Sequence, residues 1–145
     1  MIKKKRWRYY CEYCKKSGGS SFHMERHEKG CTKNPDRHCG FCHLAGENQT
    51  PIDELKEIIL KHIRKSVEYN SIPFISLNDY IIDEQKCLDE LRDKTYNCPS
   101  CMLAAIRQTE KLKHTQGIEF NFKEESKEWF SEYDNANASE DYGYY

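Results

Sequence analysis

Apolar residues recur three and four apart over much of the chain. Ile52, Leu55, Ile58, Ile59, Ile63 and Val67 predict a helix from Ile52 to about residue 69. Its start is marked by Thr50-Pro51-Ile52-Asp53: a capping hydroxyl, a proline at the first position and an acid in the first turn. Asn70 to Phe74, with Pro73 inside, breaks the pattern. Ser76 reads as the next cap, and Leu77, Tyr80, Ile81, Leu88 and Leu91 predict a second helix to about residue 93. A third is expected from Pro99 to about Lys113, with Gly117 as its stop. Ile118-Glu119-Phe120-Asn121-Phe122 alternates like a short strand, and Glu124 to Tyr133 predicts a last helix docked by Trp129 and Phe130. The tail from Asp134 to Tyr145, rich in Asn, Ala, acids and Tyr, is expected to be disordered.

The 145 residues are 37% hydrophobic and 32% charged. That allows one small domain, or a small domain with a separate module, around a thin core. The longest apolar run, Cys101 to Ile106, is six residues, against about 18 needed for a membrane span. The basic start Met1-Ile2-Lys3-Lys4-Lys5-Arg6 is followed by no apolar stretch, so a cytoplasmic, reducing location is expected rather than secretion. In such a compartment cysteines bind metal more often than they pair.

Charge changes the picture further. The net value of −1 hides eleven Lys and Arg against four acids in residues 1–43, and twelve against twenty in residues 44–145. A basic head on an acidic body points to a polyanionic partner for the head, or to charge pairing between the halves.

Eight cysteines stand at 11, 14, 31, 39, 42, 87, 98 and 101. Cys11/Cys14, Cys39/Cys42 and Cys98/Cys101 share the C-x2-C spacing, which lets two thiolates of one tight turn reach one tetrahedral ion. Twelve residues separate Cys14 from His27, and three separate His27 from Cys31. His27 and Cys31, four apart, lie on one face of a helical turn. Cys11, Cys14, His27 and Cys31 are therefore one expected zinc site. Cys39, Cys42, Cys98 and Cys101 form the second, closed across a long helical insertion whose entropic cost grows slowly with length. His38 and His43 flank the Cys39/Cys42 knuckle and are alternatives to one of its thiolates. Cys87 reads as a small buried hydrophobe, and His62 as a helix-surface histidine.

From Tyr9 to Cys31 the chain resembles a ββα zinc finger in its Cys-Cys-His-Cys variant. Tyr9 stands two before the first cysteine, where that family has an aromatic, and Met24 three before the histidine, where it has Leu. Four residues after the second cysteine, where the family has an aromatic, this chain has Gly18. Lys15 to Ser20 then reads as a flexible loop, and Phe22 as a partial substitute in the finger's core. The resemblance implies a helix near 20–30 that presents Ser20, His23 and Arg26 to bases, Arg26 being suited to guanine O6 and N7. Lys3, Lys4, Lys5, Arg6 and Arg8, joined by Lys15 and Lys16, are expected to follow phosphates, with Trp7 or Tyr10 stacking on an unpaired base. One finger reads about three base pairs, so recruited or nonspecific binding is the simpler expectation. Cys98-Pro99-Ser100-Cys101 running into Met102 to Arg107 resembles a treble-clef half-site. The stretch His27 to Cys39, with the later Cys-Pro-Ser-Cys, resembles small uncharacterised zinc proteins of bacteriophages, which implies a viral accessory or regulatory role.

Both sites are expected to be closed by four protein ligands, whereas a catalytic zinc keeps a position open. The deaminase signature is incomplete: Pro99 follows rather than precedes the first cysteine of its pair, and His23-Met24-Glu25 lies in a segment that His27 and Cys31 already explain. Between the cysteine pairs only His43 and His62 are available to an HNH-type nuclease. The expectation is a mainly α, zinc-stabilised, non-enzymatic protein with four parts: a basic arm (1–8), a finger (9–31), a helical zinc-binding body (32–133) and a disordered acidic tail (134–145). It is expected to hold two zinc ions and to bind nucleic acid through the finger, in a regulatory role. The alternative is a protein-interaction adaptor that uses the acidic body and tail.

Overall fold

A computed structural model of the chain describes residues 1–65, 80–110, 112 and 118–138. Among them are six helices and two small two-stranded antiparallel sheets.

The first 31 residues build a minimal unit. Strands β1 (Tyr9–Tyr10) and β2 (Ser17–Gly18) pair antiparallel, with Tyr9 opposite Gly18 and Tyr10 opposite Ser17. Ser17 and Gly18 are thus a strand rather than part of a flexible loop. Lys15, at φ 61°, turns the chain between the strands, and Lys15 N–H donates to Cys11 O over 3.0 Å. Helix α1 (Ser21–Gly30) follows, capped by Ser20, whose Oγ accepts from His23 N–H at 3.4 Å. The apolar centre of this unit is Met24 with Cys11, Cys31 and Cys14. Phe22 does not fill it: its side chain sits on the outer face of α1, with the residue 67% exposed. Gly18 lets the methyl end of Met24 come close instead, 3.6 Å from where a β-carbon would stand.

The body is a set of helices around one core. Helix α2 (Gly40–Ala45) occupies part of the expected connector and ends at Gly46, whose φ of 69° suits a residue without a β-carbon. Helix α3 spans Ile52–His62. Its cap is Pro51, not Thr50, whose hydroxyl donates to Lys94 O at 2.9 Å. The helix stops short of residue 69 because Ile63 turns extended and opens strand β3 (Ile63–Lys65), paired antiparallel with β4 (Tyr80–Ile82). Tyr80 and Ile81, expected on a helix, belong to this strand. The expected break at 70–74 and cap at Ser76 lie outside the described residues.

Helix α4 (Glu84–Thr95) ends in Tyr96 and Asn97 at φ 53° and 61°, a left-handed turn that delivers the chain to Cys98. Helix α5 (Pro99–Gln108) is shorter than expected, and residues 118–121 are irregular rather than a strand. Helix α6 (Phe122–Ala138) runs five residues into the segment expected to be disordered. Leu55 and Ile59 of α3, Cys87, Leu88 and Leu91 of α4, and Met102 and Ala105 of α5 form the core, together with Cys39, Cys42, Cys98 and Cys101. Phe41 of α2 meets Phe122, Trp129 and Phe130 of α6 edge-on or tilted, which seats that helix. Among the described residues no helix is long and apolar enough to cross a membrane.

Candidate metal centres

Both expected ligand sets come together, and each brings its four donor atoms within 4.8 Å of one another. None of the eight cysteines is paired. The donor chemistry is three thiols with one imidazole, and four thiols. Each set suits a tetrahedral zinc with no position left for water, and the chain is thus built for two zinc ions.

In the first centre, Cys11 and Cys14 sit on the turn between β1 and β2. His27 lies in the last turn of α1 and Cys31 forms its C-cap. Cys14 Sγ and His27 Nε2 are 3.1 Å apart. Glu28 steadies the knuckle by accepting Glu12 N–H at 3.0 Å. The Cys14 thiol is lowered to about 6. Burial pulls it upward, but hydrogen bonds from the Lys16 backbone, His27 and the neighbouring cysteines outweigh that. A thiol already inclined to ionise is a ready metal ligand.

The second centre lies inside the main core. Cys39 caps α2, with Cys42 in the first turn of that helix, and Cys98 caps α5, with Cys101 in its first turn. Two helix N-termini therefore face the sulfurs and favour thiolates there. Cys39 Sγ lies 3.4 Å from Cys98 Sγ, and Cys42 Sγ 3.6 Å from Cys101 Sγ. A tetrahedron with zinc–sulfur bonds of about 2.3 Å spaces its sulfurs at about 3.8 Å. Contacts from Cys101, Cys42 and Cys98 hold Cys39 well below the usual thiol range, while contacts with Cys101 and Cys39 push Cys42 and Cys98 well above it. Four buried thiols of this kind do not ionise together without a cation among them, and that cation is what the site is shaped to hold.

Arg37 was not foreseen. It is only 5% exposed, and its guanidinium lies over the second centre, with Nη1 3.8 Å from Cys101 Sγ and Nη2 donating to Ser100 Oγ. Gln49 completes the arrangement by accepting Cys39 N–H at 2.7 Å and donating to Arg37 O at 2.9 Å. Gln108 Nε2 donates to Thr32 O and Asn34 O at 2.8 and 3.1 Å, and His38 N–H to Lys29 O at 2.8 Å, which fastens the segment between the centres to both sides. His38 and His43 are exposed and belong to neither ligand set. Cys87 is fully buried and, as expected, apart from both centres. His62 is not simply on the surface: it is half-buried, and its Nε2 lies 2.6 Å from Glu90 Oε2.

The expected nucleic-acid residues divide. Lys3, Lys4, Lys5, Arg6 and Arg8 are exposed on a segment without regular structure, and Lys15 and Lys16 are exposed beside it. His23 and Arg26 are exposed on the face of α1 that also carries Phe22, opposite Met24. Ser20 is half-buried and engaged as the cap. Among the described residues, no Lys or Arg of residues 1–43 makes an ion pair; the six pairs all lie between residues 54 and 125.

Comparison with protein-family models, with curated proteins and with solved structures finds no match for this chain.

Proposed function

We propose that this is a non-enzymatic zinc protein of a reducing compartment that binds nucleic acid through residues 1–30 and acts in regulation. The observation that carries this reading is the head's unpaired charge. Pairing with the acidic body is the competing explanation for the charge split, yet the exposed Lys and Arg of residues 1–33 form no ion pair among the described residues. An exposed cluster of this kind draws a polyanion.

The order hairpin, knuckle, helix and closing cysteine supports reading residues 9–31 as a ββα-like finger. Two cysteine pairs at two helix starts support a treble-clef-like second centre. Both metals act structurally in this reading, each contributing on the order of 10–16 kcal/mol of binding free energy to folding.

The test is binding of the zinc-loaded chain to nucleic acid across a salt series. Steep salt dependence is expected, and removal of residues 1–8, which deletes five cations, should flatten the log–log slope by up to about 4. Arg26→Ala should weaken binding. No binding at low salt refutes the reading.

A second reading, a protein-interaction adaptor, draws on α6. There Glu125, Glu128 and Glu132 border Trp129, whose ring stacks on Tyr133 at 5.3 Å. Binding to a basic protein but not to nucleic acid would favour it.

A further inference from the structure

We propose that the ligand of the basic head, resting on the nucleic-acid reading above, is an unpaired single strand whose bases stack on Trp7, Tyr10 and Phe22 between phosphate contacts. A duplex read in its groove is the alternative this displaces.

Exposure of the aromatics is the first ground. Trp7 is 87% exposed, Phe22 67% and Tyr10 63%. Isolated exposed apolar residues are ordinary, but these are interleaved with cations. Trp7 lies between Arg6 and Arg8, Tyr10 follows on β1, and Phe22 shares a face of α1 with Arg26, one turn away. Alternating ring faces and positive charges suit a strand whose bases are free to turn outward.

The second ground is Phe22. At Gly18 the Met24 methyl comes within 3.6 Å of where a β-carbon would stand, so Met24 fills the small core and the Phe22 ring stays outside. It lies 5.8 Å from the His23 ring and tilted 56° to it, leaving its own face open. Helix α1 supplies the third ground. Ser20 Oγ accepts from His23 N–H at 3.4 Å as the helix cap, which holds that side chain at the helix start with its own O–H left to offer. One short helix discriminates little between duplex sequences, whereas stacking tolerates any sequence.

The arm is also placed for this use. Arg8 Nε donates to Ser17 Oγ at 3.0 Å. That bond ties the residue next to Trp7 to β2.

The test uses the full zinc-loaded chain with oligothymidine of about 12 nucleotides and a duplex of the same length at low salt. The single strand should bind about tenfold tighter or more. Trp7→Ala and Phe22→Ala should each weaken that binding by about fivefold to a hundredfold, the loss of one stacked base, with two zincs retained. Trp7→Leu and Phe22→Leu keep apolar bulk without a ring face, and should not restore it. Duplex binding equal to or tighter than single-strand binding, or full binding by the Ala or Leu variants, overturns the single-strand inference and leaves the nucleic-acid reading intact. Failure to bind either form overturns the reading itself.

Discussion

Arg37 and Cys101 are 64 residues apart in sequence, yet the guanidinium of one lies 3.8 Å from the sulfur of the other. Zinc with four thiolates carries a net charge of −2, and this centre is buried in a core of Leu, Ile and Met. A burial of that kind needs a counter-charge or a set of donors. Arg37 supplies both, through Nη1 toward Cys101 Sγ and Nη2 to Ser100 Oγ, while its buried Nε makes no hydrogen bond among the described residues.

Arg37→Met should therefore keep the packing volume and remove the counter-charge. Zinc should leave the second centre more easily, with affinity down by about 10- to 100-fold, the range seen when an outer partner of a metal ligand is lost. Arg37→Lys should recover part of this, since it restores charge without the planar fork. Competition with a chromophoric chelator measures it. Unchanged release in both variants would show that the guanidinium is only packed there.

The two centres differ in how much structure depends on each. Cys31→Ser should lose one zinc and loosen mainly the hairpin and α1, whose core is Met24 and the ligands themselves. Cys98→Ser should lose the other zinc and destabilise α3, α4 and α5 together, because its sulfur is part of their common core. Zinc content by mass spectrometry under non-denaturing conditions, with thermal melts, distinguishes the cases. A variant that keeps both ions contradicts the ligand grouping, and an unchanged circular dichroism spectrum after chelation contradicts a structural role for the metal.

The ligands were legible because metal binding writes its requirement into short-range spacing: two residues between cysteines, and one helical turn between His27 and Cys31. Helix α5 follows from Pro99 and periodicity and α1 from the finger resemblance, whereas only the Leu88–Leu91 part of the second expected helix is α4, its Tyr80 and Ile81 being strand. What escaped was long-range or ambiguous. Ile63 continues the apolar period of α3 equally well as a helix residue or as the first residue of a strand, and only its pairing with Ile82 decides. Helix α2 has six residues, too few for a period to show, and it begins inside a metal knuckle. Arg37 gave no sign of burial, since the Ser100 and Cys101 that receive it lie far along the chain. Ser20, expected to face a base, serves as the cap of α1.

Cys87 sets an expected limit at high pH. Burial, aided by the charges of Glu90 and Asp83, pushes its thiol from 9.0 up to about 11. Between these values the folded chain holds a proton that the unfolded chain has released. Stability from this group is complete below about pH 9 and falls as pH rises toward 11, by a total of roughly 2–3 kcal/mol. Cys87→Ala should melt lower at neutral pH because of the small cavity, but should lose less stability than the parent between pH 9 and 11. Parallel alkaline slopes for the two would remove Cys87 as the source.

Gly18 offers the reverse test, a gain. The family that residues 9–31 resemble carries an aromatic at this position, and here a β-carbon would meet the Met24 methyl at 3.6 Å, an ordinary contact. Its backbone is a regular strand without positive φ, so a side chain brings no strain. Gly18→Ala should restrict the unfolded chain and stabilise the finger by about 0.4–1 kcal/mol. Gly18→Val, which adds strand preference and contact with Met24, should do at least as well. Slower chelator-driven release of the first zinc, with the second unchanged, is the expected signature. Faster release would mean that the hairpin needs the bare glycine for the close approach of Met24, and that the exposed Phe22 cannot be exchanged for a better-filled finger core.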